Sequence, residues 1–163
     1  MRYRGLLLAA VLLGCAHPGT KFERRDDVDF SRYRRIGVAP FTDSRGQGRR
    51  IAEGINRGLP RLMYEPADMK ALEKILAEHK PDRELGLSLE ALVLIRSQTS
   101  ADALIFGSMA PDWSAAKVSL VETEMGDQIL RAIVKPGGKN QKIFSGPDEV
   151  VRETLRVFAK LDR

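Results

Sequence analysis

Short apolar runs alternate with amphipathic helical patterns along most of this chain, and this alternation restricts the fold more than any other feature. The runs 35–41 and 103–107 are brief, apolar and bounded by turn residues, so each predicts a buried strand. Apolar residues recur at helical spacing over 49–62, 66–79 and 89–98. Strands that are separated by helices favour parallel pairing, with the helices packed on the faces of one sheet.

The second half of the chain adds a hairpin and a last helix. Residues 113–123 and 128–135 flank a Gly-Asp turn, and apolar side chains alternate with polar ones before it. This pattern is typical of an antiparallel hairpin with one face in water. A short strand is predicted at 62–64, and Pro147 opens a final helix. We therefore predict an α/β fold, a single domain in which a mixed β-sheet is flanked by helices.

The apolar faces of these elements give the predicted core. The strand residues expected to be buried are Ile36, Val38, Leu104, Ile105 and Phe106. The stripe expected on the last helix is Val151, Leu155 and Phe158. The second helix adds Leu72 and Ile75. Trp113 is the only tryptophan, and we expect it in the core because aromatic side chains usually bury most of their area.

The first 14 residues have the pattern of an export signal. Arg2 and Arg4 precede an apolar run over 5–14, which is shorter than the about 20 residues that a membrane-spanning helix needs. The run ends in Leu-Leu-Gly-Cys, which resembles a bacterial lipobox with Cys15 as its cysteine. That resemblance implies a lipoprotein signal peptide at 1–14, cleavage before Cys15, and acylation of its thiol with fatty acids such as palmitate. The alternative is a plain signal peptide in which the cysteine is incidental.

Cleavage at that point leaves 149 of the 163 residues, which is enough for one domain with its own core. Residues 15–29 contain Pro, Gly and many charges, so we interpret them as a lipidated N-terminus and tether. The folded domain is then 30–163. Ala16 stands where similar lipoproteins of the inner membrane tend to have Asp. This favours the outer membrane, with the domain facing the periplasm.

The charge and the cysteine content exclude several classes of function. The formal charge of +5 falls to about +3 once Arg2 and Arg4 are removed, and export separates the protein from nucleic acid, so no nucleic-acid partner is expected. Cys15 is the only cysteine, and His17 and His79 are the only histidines. Acylation would use the only thiol, so a disulfide, a thiolate metal site and a cysteine nucleophile are not expected. With one histidine in the tether and one in the domain, a paired-histidine metal site is not expected either. We expect no cofactor, no metal and no enzymatic activity.

A loop between a strand and a helix is the candidate binding site. The candidate anion-binding residues are Arg45, Gly46, Gly48, Arg49 and Arg50. Backbone N–H groups at a helix start, together with three arginines, suit a phosphate or a lipid headgroup. The Gly-Lys-Ser/Thr ending of a P-loop is missing, and a solvated turn is the simpler interpretation.

Two carboxylates on the predicted hairpin also need an interpretation. Glu122 and Glu124 lie two residues apart on a strand and therefore share one of its faces. Paired carboxylates suit general acid–base catalysis. Because these two lie beside the hairpin turn, we interpret both as solvated rather than catalytic.

Four segments, taken in order, resemble a known family. They are Ile-Gly-Val-Ala-Pro-Phe at 36–41, the segment 64–76, Ala-Asp-Ala-Leu-Ile-Phe-Gly-Ser at 101–108, and the hairpin sequence at 118–126. Together they are similar to the curli-secretion lipoprotein (CsgG) family, whose relatives include the LpoB activators of penicillin-binding proteins and the amino-terminal domain of TolB. The resemblance spans 30–161 and implies an α/β accessory domain that contacts other envelope proteins. It carries no catalytic residues, and the long extra hairpins of the curli channels are missing, so no pore is expected.

The expected function is that of a lipid-anchored envelope accessory protein. It would scaffold or regulate a cell-envelope assembly or secretion process through protein–protein contacts. Its partners would be the membrane, through the N-terminal lipid, and an envelope protein, and a homo-oligomer is left open. The alternative is a small module that binds an anion or another small ligand through the loop 45–50.

Overall fold

A mixed six-stranded sheet is the centre of the computed structural model, which describes residues 20–80, 86–138 and 140–161. The strands are β1 (Lys21–Arg24), β2 (Arg35–Val38), β3 (Glu65–Pro66), β4 (Ala103–Met109), β5 (Ala116–Glu122) and β6 (Gln128–Val134). Their order in the sheet is β1-β6-β5-β4-β2-β3. β2 is parallel to both β3 and β4, and the other neighbours are antiparallel. The predicted mixed sheet is confirmed, whereas the signal peptide 1–14 and Cys15 lie outside the described residues.

Four helices of the described chain cover the sheet on both faces. They are α1 (Gly48–Gly58), α2 (Met69–Glu78), α3 (Leu89–Thr99) and α4 (Pro147–Phe158). Alternate residues of β4 point to opposite faces, so Ile105 packs in the core with α1 and α4, and Leu104 packs with α2 and α3. The single α/β domain with flanking helices is thus confirmed.

The first strand corrects the predicted boundary between tether and domain. Residues 21–24 were expected within the tether 15–29, but they form β1 and pair with β6 from Lys21 opposite Ile133 to Arg24 opposite Leu130. Phe22 packs against the core from this strand. A four-residue edge strand with one apolar side chain is too short to show a periodicity. The backbone hydrogen bonds offered by the open edge of β6 hold it instead.

The region after α1 also differs from the prediction. Pro60 is expected to kink or end the helix predicted over 49–62, and the α-helix does end before it, at Gly58, with a 3-10 turn at Leu59–Leu62. Pro60 lies in that turn, where its missing N–H costs no helical hydrogen bond. The strand predicted at 62–64 is wrong, because the chain pairs with β2 only at β3, after Met63 adopts a left-handed conformation with φ 65°.

Side-chain caps determine where two of the helices begin. α2 begins at Met69 rather than at 66, because the Asp68 carboxylate accepts hydrogen bonds from the backbone N–H groups of Lys70 and Ala71. The Ser88 hydroxyl caps α3 in the same way, as predicted from its position before the apolar stripe.

Most of the predicted core is buried. The residues with an exposure of 3% or less include Ile36, Val38, Leu72, Ile75, Leu104, Ile105 and Trp113. Phe106 is only partly buried, because α2 and α3 do not extend over the whole of their face of the sheet. In α4 the residues against the sheet are Val150, Thr154, Val157 and Phe158, whereas Val151 and Leu155 are half-buried against α1. The predicted stripe is therefore correct at Phe158 and displaced at the other two positions.

Candidate functional site

The loop between β2 and α1 is organised around one carboxylate. Asp43 Oδ2 accepts a hydrogen bond from the Gln47 backbone N–H at 2.6 Å, and Asp43 Oδ1 accepts one from Trp113 Nε1 at 3.0 Å. A Cβ atom on Gly48 would overlap the carbonyl oxygen of Phe41. The glycine at 48 is therefore required by the close approach of two backbone segments, irrespective of any ligand.

Arg45 and Gly46 occupy the tip of this loop. The Arg45 guanidinium lies 4.6 Å from the centre of the Trp113 ring, which is 1% exposed, in a cation–π contact. Gly46 has φ 69°, a left-handed conformation that glycine adopts without strain, and a Cβ atom there would meet no other atom within 4 Å. The Arg45 side chain thus covers one face of the buried indole ring.

Arg49 and Arg50 are also engaged within the chain. Arg49 Nε lies 3.1 Å from a carboxylate oxygen of Glu53, and Arg50 NH2 lies 3.5 Å from one of Asp148. Arg49 Nε also lies 3.4 Å from a carboxylate oxygen of Glu73. The three arginines of the predicted anion site therefore lie in one segment but contact four different side chains. Phosphate or headgroup binding by residues 45–50 stays a prediction, and it would require these contacts to be exchanged for the ligand.

A second arginine cluster lies in the groove between α1 and α4. Gly54 and Gly58 are one helical turn apart and let α4 approach closely, since a Cβ on Gly54 would be 2.6 Å from Val151 Cγ2. The groove measures about 460 Å³, and its floor includes Leu62 and Leu155. Its rim carries Arg57, Arg61, Arg152 and Arg156. We call this feature the arginine groove.

The four rim arginines differ in how far their charge is compensated. Arg156 NH1 donates to both carboxylate oxygens of Glu153 at 2.7 and 2.9 Å, and Arg152 Nε donates to one of them at 3.3 Å. Glu153 is only 4% exposed, so its carboxylate holds both side chains from below. Arg57 and Arg61 have no hydrogen bond or ion pair with any described residue. The lining of the groove also includes the exposed carboxylate of Asp148, which lies 3.5 Å from Arg50. Among the four arginines, Arg57 and Arg61 are therefore the ones that are exposed and without a partner in the described chain.

Glu149 fixes the loop that precedes α4. Its carboxylate is 5% exposed and accepts hydrogen bonds from Gln141 Nε2 at 2.6 Å, from the Ser145 backbone N–H at 2.8 Å and from the Ser145 hydroxyl at 2.9 Å. A longer bond of 3.4 Å comes from the Gly137 N–H. Burial raises the pKa of Glu149, but these hydrogen bonds together outweigh it, and the pKa lies below its ordinary value.

The turn between β5 and β6 is built on another buried carboxylate. Glu122 is 9% exposed, and it accepts hydrogen bonds from the backbone N–H groups of Glu124, Met125 and Asp127. The prediction that Glu122 is solvated is therefore wrong, because the side chain folds back onto the turn that it begins. Glu124 is exposed as predicted, and its carboxylate lies 3.8 Å from Arg96.

This turn and the exposed side of α3 form one corner of the molecule. Leu89 and Val93 of α3 are 65% and 59% exposed, and Met125 at the tip of the turn is 75% exposed. A Cβ on Gly126 would lie 2.9 Å from Leu92 of α3, which shows how closely turn and helix approach. We call the set Leu89, Glu90, Val93, Glu124 and Met125 the α3 corner.

Sequence reasoning singled out the 45–50 loop and missed the arginine groove. The signal for the groove was present in the spacing: Gly54 and Gly58, Arg57 and Arg61, and Arg152 and Arg156 are each four residues apart. Only the contact between α1 and α4 shows that the three pairs meet. Within residues 20–80, 86–138 and 140–161, no three His, Cys, Asp or Glu side chains are grouped to hold a metal ion. No helix of that part is long and apolar enough to cross a membrane.

Comparison with known proteins identifies the fold. No protein-family model matches the chain, and no curated protein sequence matches it. Among solved structures, it is similar to the dodecamer of a PelC point variant from Paraburkholderia phytofirmans, with a TM-score of 0.57, 12% identity, and coverage of 87% of this chain and 97% of that chain. A PelC dodecamer from the same organism in another crystal form gives a TM-score of 0.52 and 13% identity, with 87% and 96% covered. At this identity the likeness shows that the chain has the same fold.

Proposed function

We propose that this protein is a lipid-anchored accessory protein of the bacterial cell envelope, which assembles with copies of itself and acts through protein–protein contacts. The observation that carries the proposal is the fold shared with the PelC dodecamers over nearly the whole of those chains. The N-terminal pattern ending at Cys15 supplies the location, and the ordered resemblance to the CsgG family agrees with an accessory role. Fold alone does not determine function, so each part needs its own test.

The anchor is tested by replacing the acylated atom. Cys15→Ser is expected to abolish incorporation of labelled fatty acid and to release the protein from the outer-membrane fraction. Stable anchoring needs more than one acyl chain, so the loss should be nearly complete. A Ser variant that still takes up label and still sediments with outer membranes would show that the anchor is elsewhere.

Self-association is supported by surface chemistry as well as by the fold. The arginine groove leaves Arg57 and Arg61 without a partner among the described residues, and such groups are usually satisfied by water or by another molecule. The mass of the full-length protein in detergent, measured by analytical ultracentrifugation, is expected to be a multiple of the monomer. A monomer at micromolar concentration would contradict this part of the proposal and leave the anchor untouched.

Binding rather than turnover is proposed because the chain offers few groups for catalysis. Acylation of Cys15 uses the only thiol, and His79 is the only histidine beyond the first 17 residues. The carboxylates that are most deeply buried, Glu122, Glu149 and Glu153, each bind backbone or arginine donors of the same chain. Their lone pairs are thus used in holding turns and helices rather than in activating a substrate.

A further inference from the structure

We propose that the arginine groove of one copy receives the α3 corner of the next copy in a head-to-tail contact. This inference rests on the self-association proposed above and names the two surfaces that carry it.

The groove requires a ligand that carries both carboxylates and an apolar group. Arg57 and Arg61 lie one helical turn apart on the rim, and a planar guanidinium binds a carboxylate through two parallel hydrogen bonds. Leu62 and Leu155 make the floor apolar, so a purely ionic ligand would leave it unsatisfied. A free anion such as phosphate would contact only the arginines of the rim and would leave the apolar floor uncovered.

The α3 corner has both components. Of the five large apolar side chains that are exposed in the described chain, three lie here, at Leu89, Val93 and Met125. Glu90 has no hydrogen bond or ion pair with a described residue, and Glu124 is held only loosely, at 3.8 Å from Arg96. Methionine is unbranched and adapts to irregular apolar grooves. Because Glu122 fixes the turn, Met125 is presented without a large cost in conformational entropy.

The other exposed apolar side chains do not fit the groove. Met63 is close in sequence to Arg61, and Ile143 follows Lys142. Each would bring a cation towards the arginines of the rim, whereas the corner brings two carboxylates, Glu90 and Glu124, for one cation, Arg96. The corner is therefore the surface of this chain whose charge complements the groove.

The placement of the two surfaces determines the symmetry of the contact. The groove lies on the α1 and α4 face of the sheet, and the corner lies on the α2 and α3 side. A twofold contact through the groove would place Arg57 and Arg61 against their own copies. A head-to-tail contact pairs unlike surfaces instead, and such contacts repeat to give a ring when the rotation closes.

Two charge reversals test the contact. The groove variant is Arg57→Glu with Arg61→Glu, and the corner variant is Glu90→Arg with Glu124→Arg. The matched controls change equally exposed residues outside both surfaces: Lys117→Glu with Arg131→Glu, and Glu23→Arg with Glu78→Arg. Each full-length protein is studied in detergent by analytical ultracentrifugation, with circular dichroism to confirm folding.

Each interface variant alone is expected to be monomeric, with its association weakened by about a hundredfold or more, because attractive contacts become repulsive. Both controls should keep the wild-type mass. An equimolar mixture of the two interface variants should regain that mass, since the reversed groove binds the reversed corner and the native groove binds the native corner. The regained mass would also show that neither variant is misfolded.

Two results would overturn the proposed contact, and only the second would also overturn the proposed self-association. If the wild type forms an oligomer whose mass the groove variant retains, or if the mixture stays monomeric, the contact is wrong and self-association stands. If the wild type is itself monomeric, the proposed self-association fails, and this contact fails with it.

Discussion

The two arginine clusters of this protein have similar composition and different chemistry. At the start of α1, Arg45 covers the Trp113 ring, and Arg49 and Arg50 pair with carboxylates of the same chain. In the arginine groove, Arg57 at the end of α1 and Arg61 in the 3-10 turn that follows have no partner among the described residues. The first cluster stabilises its own domain, whereas the second leaves charge available to another molecule.

This difference shows what a sequence cluster of cations does and does not indicate. A glycine- and arginine-rich loop before a helix is a reasonable phosphate site, because backbone N–H groups and positive charge coincide there. Whether it binds depends on what the guanidinium groups already contact.

Trp113→Ala should destabilise the protein most, because the indole is the platform on which the first cluster rests. It is fully buried, so the loss in free energy of unfolding is expected to be about 3–5 kcal/mol in urea titrations followed by circular dichroism. Trp113→Phe keeps one apolar ring and loses the bond to Asp43 and part of the buried volume, so it should lose less than Trp113→Ala. An Ala variant within about 1 kcal/mol of wild type would show that the loop is not built on this residue.

The two glycines of the first cluster should respond differently to the same substitution. Gly48→Ala places a methyl group on the Phe41 carbonyl oxygen, and we expect a loss of up to about 3 kcal/mol in the same assay. The methyl group of Gly46→Ala would meet no other atom, so stability is lost only because alanine is strained at the left-handed φ of 69°. We expect this loss to be about 1–2 kcal/mol. Equal losses would mean that backbone conformation, rather than the approach to Phe41, governs both.

The buried carboxylate of Glu149, which fixes the loop before α4, should make the stability of the domain depend on pH. The pKa of Glu149 is lower in the folded protein than in the unfolded chain, so its stabilising contribution is present above the unfolded pKa and is lost as the pH falls through the folded one. Glu149→Gln should cost about 1–2 kcal/mol at pH 7. The difference from wild type should shrink as the pH falls from about 5 towards 3. A difference that stays constant over that range would contradict the assignment.

The smallest effects compare one arginine from each cluster directly. Arg45→Ala should lose about 0.5–1 kcal/mol of stability with its cation–π contact, since the side chain is exposed. Arg57→Ala should change stability by less than about 0.5 kcal/mol, because no contact within the chain is removed. Both are measured by thermal unfolding monitored by circular dichroism at low salt.

Calorimetric titration with inorganic phosphate completes that comparison. No binding to the first cluster is expected at millimolar phosphate, because its guanidinium groups are engaged. Binding that disappears in a folded Arg45→Ala, Arg49→Ala, Arg50→Ala variant would favour the ligand-binding alternative for residues 45–50 over the accessory role.

Elements that bury a continuous apolar run are predicted correctly from the sequence. Elements whose position depends on a contact between distant segments are not. The strand at 103–107, the cap at Ser88 and the hairpin follow from local periodicity and turn chemistry. β1 does not, because its pairing partner is more than 100 residues away. The stripe of α4 is displaced for a related reason: Val151 and Leu155 pack on two glycines of α1 that no pattern within α4 reveals.

The candidate site was predicted less well than the fold. Residues 45–47 were placed correctly between a strand and a helix, whereas 48–50 form the first turn of α1. The partners Trp113 and Asp148 come from distant parts of the chain. The arginine groove needs two helices to meet before its four cations form one feature. Residue type and spacing identify candidate groups, and only three-dimensional neighbours show which of them remain available.

The pairing of β1 with β6 limits how far the domain can move from a membrane. If Cys15 carries the lipid, the tether between the lipid and the sheet ends at Lys21. The six residues from Cys15 to Lys21 span at most about 20 Å when fully extended. A tether that ran to Phe30 would allow a distance of about 50 Å between the lipid and the domain. The pairing of β1 therefore shortens that distance by more than half. With a lipid on Cys15, the domain would be kept next to the bilayer surface, and release of the whole segment up to Phe30 would more than double the distance at which it could meet a partner.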